Sequence, residues 1–319
     1  MINLSEALST IQARHILFSI LVLFVLISIP GCTREETPKK VSLYTRGLAV
    51  SENMDHPNSN VLWFGFDPRF GPKEEVLIYT PFLMYLEKTT GRRFQIKFTE
   101  RDEDTVNNLG KGVTQFASLG TLNYVIGKNK YGIKYLVSGV NRDGDPKYQS
   151  AIFTKPESDI KVLQDLKGRC FAFGSHMSAE GHLIPRNMLE DAGIPLKDLG
   201  NYIYTGSHIN TARSVLNGEC DAGGIQDSLA KRLAGEGKIR IIKMSEPFPG
   251  SIIAYNSGVD IETVTAVKSA LLAFDPAGRH KNILVEWDRT DMPLGFTEIN
   301  ERELDKVAGF AREYGLLMQ

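Results

Sequence analysis

FGSHMSAEGHLIP (Phe173 to Pro185) and, further on, TGSH (Thr205 to His208) decide how this chain is read. Each looks like a strand running into a serine-bearing turn that opens a helix. The first four N–H groups of a helix have no partner inside it, and the macrodipole puts partial positive charge there. Two such ends facing one cleft form an anion site that needs no metal. Around them strand and helix alternate from Val61 to Ile242; SIIAYNSG (Ser251 to Gly258) is then apolar again, and helices close the chain. This alternation predicts α/β layers on parallel sheets. Within it, Glu74 to Thr90 reads as an amphipathic helix that either kinks at Pro81 or begins after a turn there.

Composition narrows the class. The chain has 319 residues, 42% of them hydrophobic and 24% charged, enough for a large core or two lobes. A formal net charge of −1 implies no general attraction to nucleic acid. No Cys/His spacing of a zinc site and no phosphate loop of the Gly-x-x-x-x-Gly-Lys type is present, so neither metal nor cofactor is expected.

At the N-terminus, ILFSILVLFVLISI (Ile16 to Ile29) is uncharged and follows Arg14 and His15. It is shorter than the roughly 20 residues of a bilayer span and suits the apolar region of a signal peptide. Ile29-Pro30-Gly31-Cys32 is similar to the lipobox of bacterial lipoproteins, which implies a signal peptide over 1–31 and lipidation at Cys32. Residues 32–59 are polar and aperiodic and read as a tether. These features place the chain in the periplasm or on the cell surface, anchored to a membrane. Cys170 and Cys220 lie in apolar, strand-like runs and suit free buried thiols, although an export compartment permits their pairing.

From Val61 to Gly258 the chain resembles the phosphate/phosphite/phosphonate-binding proteins of ABC importers, a branch of the type II periplasmic binding proteins. The pieces that carry the resemblance are GFDP…PFLMYLEKTTG, FASLGTLNYV, DGDPKYQSAIFTK, LQDLKGRCFAFG with SAEGHLIPRNMLEDAGI, TGSHINTARSVLNGECDAGG and EPFPGSIIAYN. It implies two α/β lobes joined by two crossover hinge strands, lobe 1 from 60–148 and 256–319 and lobe 2 from 149–255. Tyr148–Lys155 and Ser251–Asn256 fit the crossovers. It also implies a monomeric receptor, not an enzyme, that passes a small anionic or zwitterionic ligand to an ABC permease. A membrane-tethered sensor uncoupled from transport stays open as a rival; an enzyme on this fold is the third reading.

The resemblance also implies ligand residues. A Ser-Thr-Ser run that holds phosphonate oxygens in the family corresponds here to Ser178, Ala179 and Glu180. Ala179 has no hydroxyl. Glu180 brings negative charge toward a dianion or, in the other reading, points outward and favours the helix N-terminus. His208 matches a ligand-donating histidine, and Ser207 suits the N-cap beside it. Thr121, after Gly120, can donate from lobe 1, where the family's two tyrosines are missing: the charged residues of about Arg101 to Asp104, and Leu119, stand in their places. Gln226 and Asp227 stand where relatives place a polar group toward the ligand. His182 reads as a packing residue, and Trp63, Tyr204 and Trp287 as core or pocket wall. Together these residues suit an oxyanion of phosphonate or phosphate type, with the acids leaving room for an amine.

Overall fold

The computed structural model describes residues 61–99 and 104–317. The segments expected as signal peptide (1–31) and tether (32–59), with Cys32, and Asp102 and Glu103 lie outside the described residues.

In chain order the strands are β1 (Val61–Phe66), β2 (Arg93–Lys97), β3 (Phe116–Leu119), β4 (Lys134–Gly139), β5 (Lys147–Tyr148), β6 (Ser150–Thr154), β7 (Cys170–Phe173), β8 (Asn201–Tyr204), β9 (Ala222–Gln226), β10 (Arg240–Met244), β11 (Phe248–Pro249), β12 (Ile252–Tyr255) and β13 (Phe296–Thr297). The α-helices are α1 (Pro72–Thr90), α2 (Thr105–Gly110), α3 (Thr121–Tyr131), α4 (Ile184–Asp191), α5 (His208–Asn217), α6 (Asp227–Gly235), α7 (Ile261–Ala273) and α8 (Asp305–Glu313).

A six-stranded sheet, β13-β4-β12-β3-β1-β2, forms the core of lobe 1, and a five-stranded sheet, β10-β6-β9-β7-β8, that of lobe 2. Between them β5 and β11 pair antiparallel, Tyr148 opposite Phe248, as the two-strand hinge. Ser251–Asn256, expected as a crossover, is therefore displaced: β12 runs antiparallel between β3 and β4 inside the first sheet, and the chain has already returned at Phe248–Pro249. The same return explains why the sheets are mixed. β1, β2 and β3 are parallel, as are β7, β8 and β9, while β12 and β6, the first long strands after each crossing, enter antiparallel.

The α1 pattern yields one continuous helix. Pro72 opens it at N1, Gly91 closes it at φ 69°, and Pro81 sits inside without ending it. Burial of Ile78, Tyr79, Phe82, Leu83, Tyr85 and Leu86 on one face outweighs the single hydrogen bond Pro81 removes. Tyr79 stacks on Phe66 at 3.7 Å between ring centroids, and Trp287, 3% exposed, packs across Phe82. Trp287 is thus a core residue.

Cys170 and Cys220 form a disulfide, which corrects their reading as free thiols. β7 and β9 are parallel neighbours with Phe171 opposite Ala222, so Cys170, the first residue of β7, is brought beside Cys220, two residues ahead of β9. This register is invisible in sequence spacing alone.

Candidate functional site

Residues that follow parallel strands of the two sheets, Arg69 after β1 and Glu180 after β7, lie within each other's fields, and ligands of open α/β sheets bind at such strand ends. After β7 the chain turns through Gly174 to Ser178 and enters a short π-helical turn, Ala179–Leu183, continuous with α4. Ser178 is its N-cap, with Oγ accepting from Gly181 N–H at 2.8 Å. The hydroxyl proton is left to donate elsewhere. Pro185 has no N–H for the Gly181 carbonyl, and that carbonyl instead accepts from Gly174 N–H at 2.7 Å. A Cβ on Gly174 would meet Gly181 Cα at 3.2 Å, so a side chain there would push the turn and the helix apart by a few tenths of an ångström.

After β8, Ser207 caps α5 through a 3.2 Å bond from Asn210 N–H to its Oγ. His208 opens that helix, and its ring carbon Cε1 lies 3.1 Å from where a Cβ on Gly181 would stand. The two predicted serine turns and His208 are therefore brought together. His208 Nδ1 is buried with no hydrogen-bond partner among the described residues, and so is Asp227 Oδ1. Asp227, 4% exposed, starts α6 after β9 and pairs through its other oxygen with Lys231 Nζ at 2.8 Å. Gln226, half-buried, ends β9 opposite Ser150. Ala179 is buried and contributes backbone only.

Lobe 1 answers differently from expectation. Thr121 is fully buried, and its Oγ1 donates to Pro249 O at 2.6 Å, which ties α3 to the hinge and takes the hydroxyl from any ligand. The N-terminus of α3 is also filled: Asp67, just after β1, accepts from Gly120 N–H at 2.7 Å and from Asn123 Nδ2 at 2.7 Å. Asp104 caps α2 by accepting from Asn107 N–H and stands outside the site. The cation of lobe 1 is Arg69, in the same post-β1 loop and ion-paired with Asp291; its side chain keeps 30% of its surface exposed. Neither residue was found by sequence reasoning. The position of Asp67-Pro68-Arg69 at the carboxyl end of a parallel strand is the one signal that points to Arg69. Asp291 has none.

Electrostatics join the two walls. Burial pushes the Glu180 carboxyl up from its ordinary 4.5 to about 7; its own main-chain N–H and Arg69 oppose this, while Asp291 and Asp227 add to it. Burial pushes His208 down to about 4, with Asp291 opposing and Arg69 reinforcing, so its imidazole is neutral near pH 7. Glu180 is half-buried, and its carboxyl lies within the fields of Arg69 and Asp291 from lobe 1 and of Asp227 from lobe 2. His182, 2% exposed, is held between His176 O at 2.8 Å and Tyr204 OH at 3.0 Å and turns away into packing.

A raised acid favours its protonated form in the fold, so its contribution to stability is full below about pH 4.5 and is lost as pH rises through about 7. The Glu180→Gln variant, neutral throughout, should match the parent near pH 4 and exceed it by about 1–3 kcal/mol near pH 8, after discounting for partial exposure. Urea melts of the ligand-free protein at both pH values measure this. An equal difference at the two would mean the carboxyl lies in open solvent.

Two α/β lobes on a two-strand hinge, with polar groups at the strand ends of both walls, define a type II periplasmic binding protein. The chain belongs to the family "ABC transporter, phosphonate, periplasmic substrate-binding protein", whose model matches residues 64–304. Similar curated proteins are the phosphate-import protein PhnD of Mycolicibacterium smegmatis, 26% identical over 209 residues (60% of this chain, 64% of that one), and the probable ABC transporter phosphite binding protein PhnD1 of Prochlorococcus marinus, 30% identical over 155 residues (46% of each). The chain thus spans less than two thirds of the length of these two curated relatives. Among solved structures, PhnD1 from Prochlorococcus marinus in complex with methylphosphonate has a TM-score of 0.68 at 18% identity, covering 81% of this chain and 99% of that one. XAC2383 from Xanthomonas citri bound to ATP has a TM-score of 0.66 at 20% identity, covering 82% and 100%. At these identities the structural likeness concerns the fold.

Proposed function

We propose that this chain is an extracytoplasmic solute receptor, anchored by lipid at Cys32, that captures a small phosphonate- or phosphate-like oxyanion between its lobes for an ABC permease. The observation that carries the reading is His208 Nδ1, a buried polar atom without a hydrogen-bond partner among the described residues, set beside the Ser178-capped helix end and within the field of Arg69. A buried unpaired nitrogen costs about 1–3 kcal/mol, a cost that a bound oxyanion removes. The oxyanion sits on the Ser178 hydroxyl, the N–H groups of that helix end and His208, with Arg69 closing from lobe 1. The unpaired Asp227 oxygen supplies an acceptor for an amine on the same ligand.

The test is a thermal-shift and calorimetry screen of the full chain in detergent. The probes are phosphate, phosphite, methylphosphonate, aminoethylphosphonate, sulfate and a sulfonate. A ligand at a hundredfold excess over Kd stabilises by about 2.7 kcal/mol, or roughly 5–10 °C for lobes of this size. A shift with a phosphorus oxyanion, larger when it bears an amine, is expected; no shift with any of them overturns the reading.

A further inference from the structure

We propose that His182 is a positioning residue of the anion seat: its ring, with the hydrogen on Nδ1, clasps the His176 carbonyl and holds the turn of residues 174–178 in the form that presents Ser178 to a ligand, while Tyr204 fixes that tautomer. The inference rests on the receptor reading above and adds how its seat is kept ready before a ligand arrives.

The first observation is how the turn is held. Its own bonds hold its ends: Gly174 N–H donates to Gly181 O at 2.7 Å, and Ser178 N–H donates to Ser175 O at 3.0 Å. Met177 N–H donates to Ser175 Oγ at 3.2 Å. The middle is held by a side chain from beyond the turn, His182 Nδ1, which lies 2.8 Å from His176 O. His182 belongs to the π-helical turn that Ser178 caps, so this bond folds the loop back onto the helix end it leads into.

The second observation is the link to the other serine turn. Tyr204 ends β8 directly ahead of Thr205 to His208. Its hydroxyl lies 3.0 Å from His182 Nε2, and its ring stacks on the His176 ring at 3.4 Å between centroids. Main-chain bonds join the same pieces, from Thr205 N–H to Phe173 O at 3.0 Å and from Gly206 N–H to Gly174 O at 3.3 Å. His182 itself is 2% exposed and packs edge-on against Phe173 and Tyr204. It therefore acts on the seat through its neighbours.

The partners decide the tautomer. A carbonyl oxygen can only accept, so Nδ1 carries the hydrogen. Burial holds the ring below its ordinary value, which leaves it neutral at pH 7 and makes Nε2 an acceptor. The Tyr204 hydroxyl then donates to Nε2, and the bond at one ring nitrogen keeps the hydrogen on the other. A turn that is ordered only on binding takes its ordering entropy out of the affinity. Apparent affinity falls with the fraction of molecules whose turn is in place. Loss of the clasp thus slows association and leaves dissociation unchanged, because the complex keeps its direct contacts once formed.

Stopped-flow kinetics and calorimetry of the full chain in detergent, with methylphosphonate and inorganic phosphate, test this. H182N puts an amide N–H where Nδ1 stands and leaves a hole in place of the rest of the ring. H182L fills much of that hole and holds nothing. H182N should melt below the parent yet bind within about threefold of it. H182L should melt no lower than H182N yet bind about tenfold more weakly than the parent, with the whole loss in the association rate. Y204F, which removes the donor to Nε2, should lose about threefold. A histidine that only packed would make affinity follow Tm across the series. Ring 15N–1H correlation spectra of the ligand-free parent, with the His182 signal assigned by its absence in H182N, should show the hydrogen on Nδ1. Parent-like binding by H182L, or a hydrogen found on Nε2, overturns this inference and leaves the receptor reading standing. A loss in H182L carried by faster dissociation also overturns it and makes His182 a direct ligand contact. Should H182L not fold, H182Q, whose amide nitrogen reaches the Nε2 place and misses His176 O, takes its part with the same expected loss. A parent that binds none of the phosphorus probes of the screen above removes the receptor reading and this inference together.

Discussion

Replacing Arg69 by Met is expected to weaken methylphosphonate capture by about 100- to 1,000-fold, the largest effect of any single substitution in the cleft. Arg69 is the cation of lobe 1 whose charge is felt at both Glu180 and His208 on the opposite wall. Truncating one partner of an enclosed charge-assisted pair costs about 2–5 kcal/mol, much of it from leaving the other partner unpaired. Here there are two such partners, the ligand and Asp291, which Arg69 holds in the free protein. The loss therefore has two parts that a second substitution separates. Asp291→Asn in the Arg69→Met background removes the stranded carboxylate and should recover about tenfold. Arg69→Lys should recover less than the charge alone suggests, because an ammonium cannot serve carboxylate and oxyanion with one planar fork. Calorimetry on the parent and these three variants measures each step. A loss of under tenfold for Arg69→Met would remove Arg69 from the site and leave the oxyanion held by lobe 2 alone.

What could be read from the sequence was local chemistry. Ser178 and Ser207 are N-caps in the structure because capping depends on a hydroxyl and the three residues after it. The alternation of strand and helix, and the motif order from GFDP to EPFPG, lead to the two-lobe fold that the comparisons bear out. What could not be read was pairing at a distance. Thr121 looks like a free donor at a helix start, yet its hydroxyl is taken by the Pro249 carbonyl on the returning hinge strand. The helix end beside it looks open to an anion, yet Asp67 from the post-β1 loop already fills it. Ser251–Asn256 looks like a crossover because an apolar strand buried on both faces carries the same signal in a hinge as in a sheet. Arg69 and Asp291 meet only through the fold, and no local pattern marks the second of them. For Thr121 and the start of α3 the missing information was which distant group had already satisfied a polar atom.

The disulfide gives the second large effect, and it separates fold stability from the site. Replacing both Cys170 and Cys220 by Ala is expected to cost about 2–4 kcal/mol of unfolding free energy, and about 5–15 °C in Tm, with ligand affinity kept within about threefold. The bridge spans 50 residues, so it closes a long loop in the unfolded chain, and most of its effect arises there. Its place in the fold gives the second half of the expectation. Cys170 starts β7 and Cys220 stands two residues before β9, whereas Gly174–Ser178 and Gln226–Asp227 follow at the carboxyl ends of those strands. Between the two ends the strands pair in register, Phe171 with Ala222 and Ala172 with Gly223, and the neighbouring β8 pairs along the whole of β7. Cutting the tether at one end leaves the ladder that positions the other. Chemical reduction of the parent should reproduce the fall in Tm without any change of side chain, which guards against a packing loss at Cys220, 3% exposed, being mistaken for loss of the cross-link. An equal Tm for reduced and oxidised parent would mean that the ladder alone fixes these strands. A large loss of affinity at a temperature where the variant is folded would mean that the bridge sets the geometry of the anion seat as well.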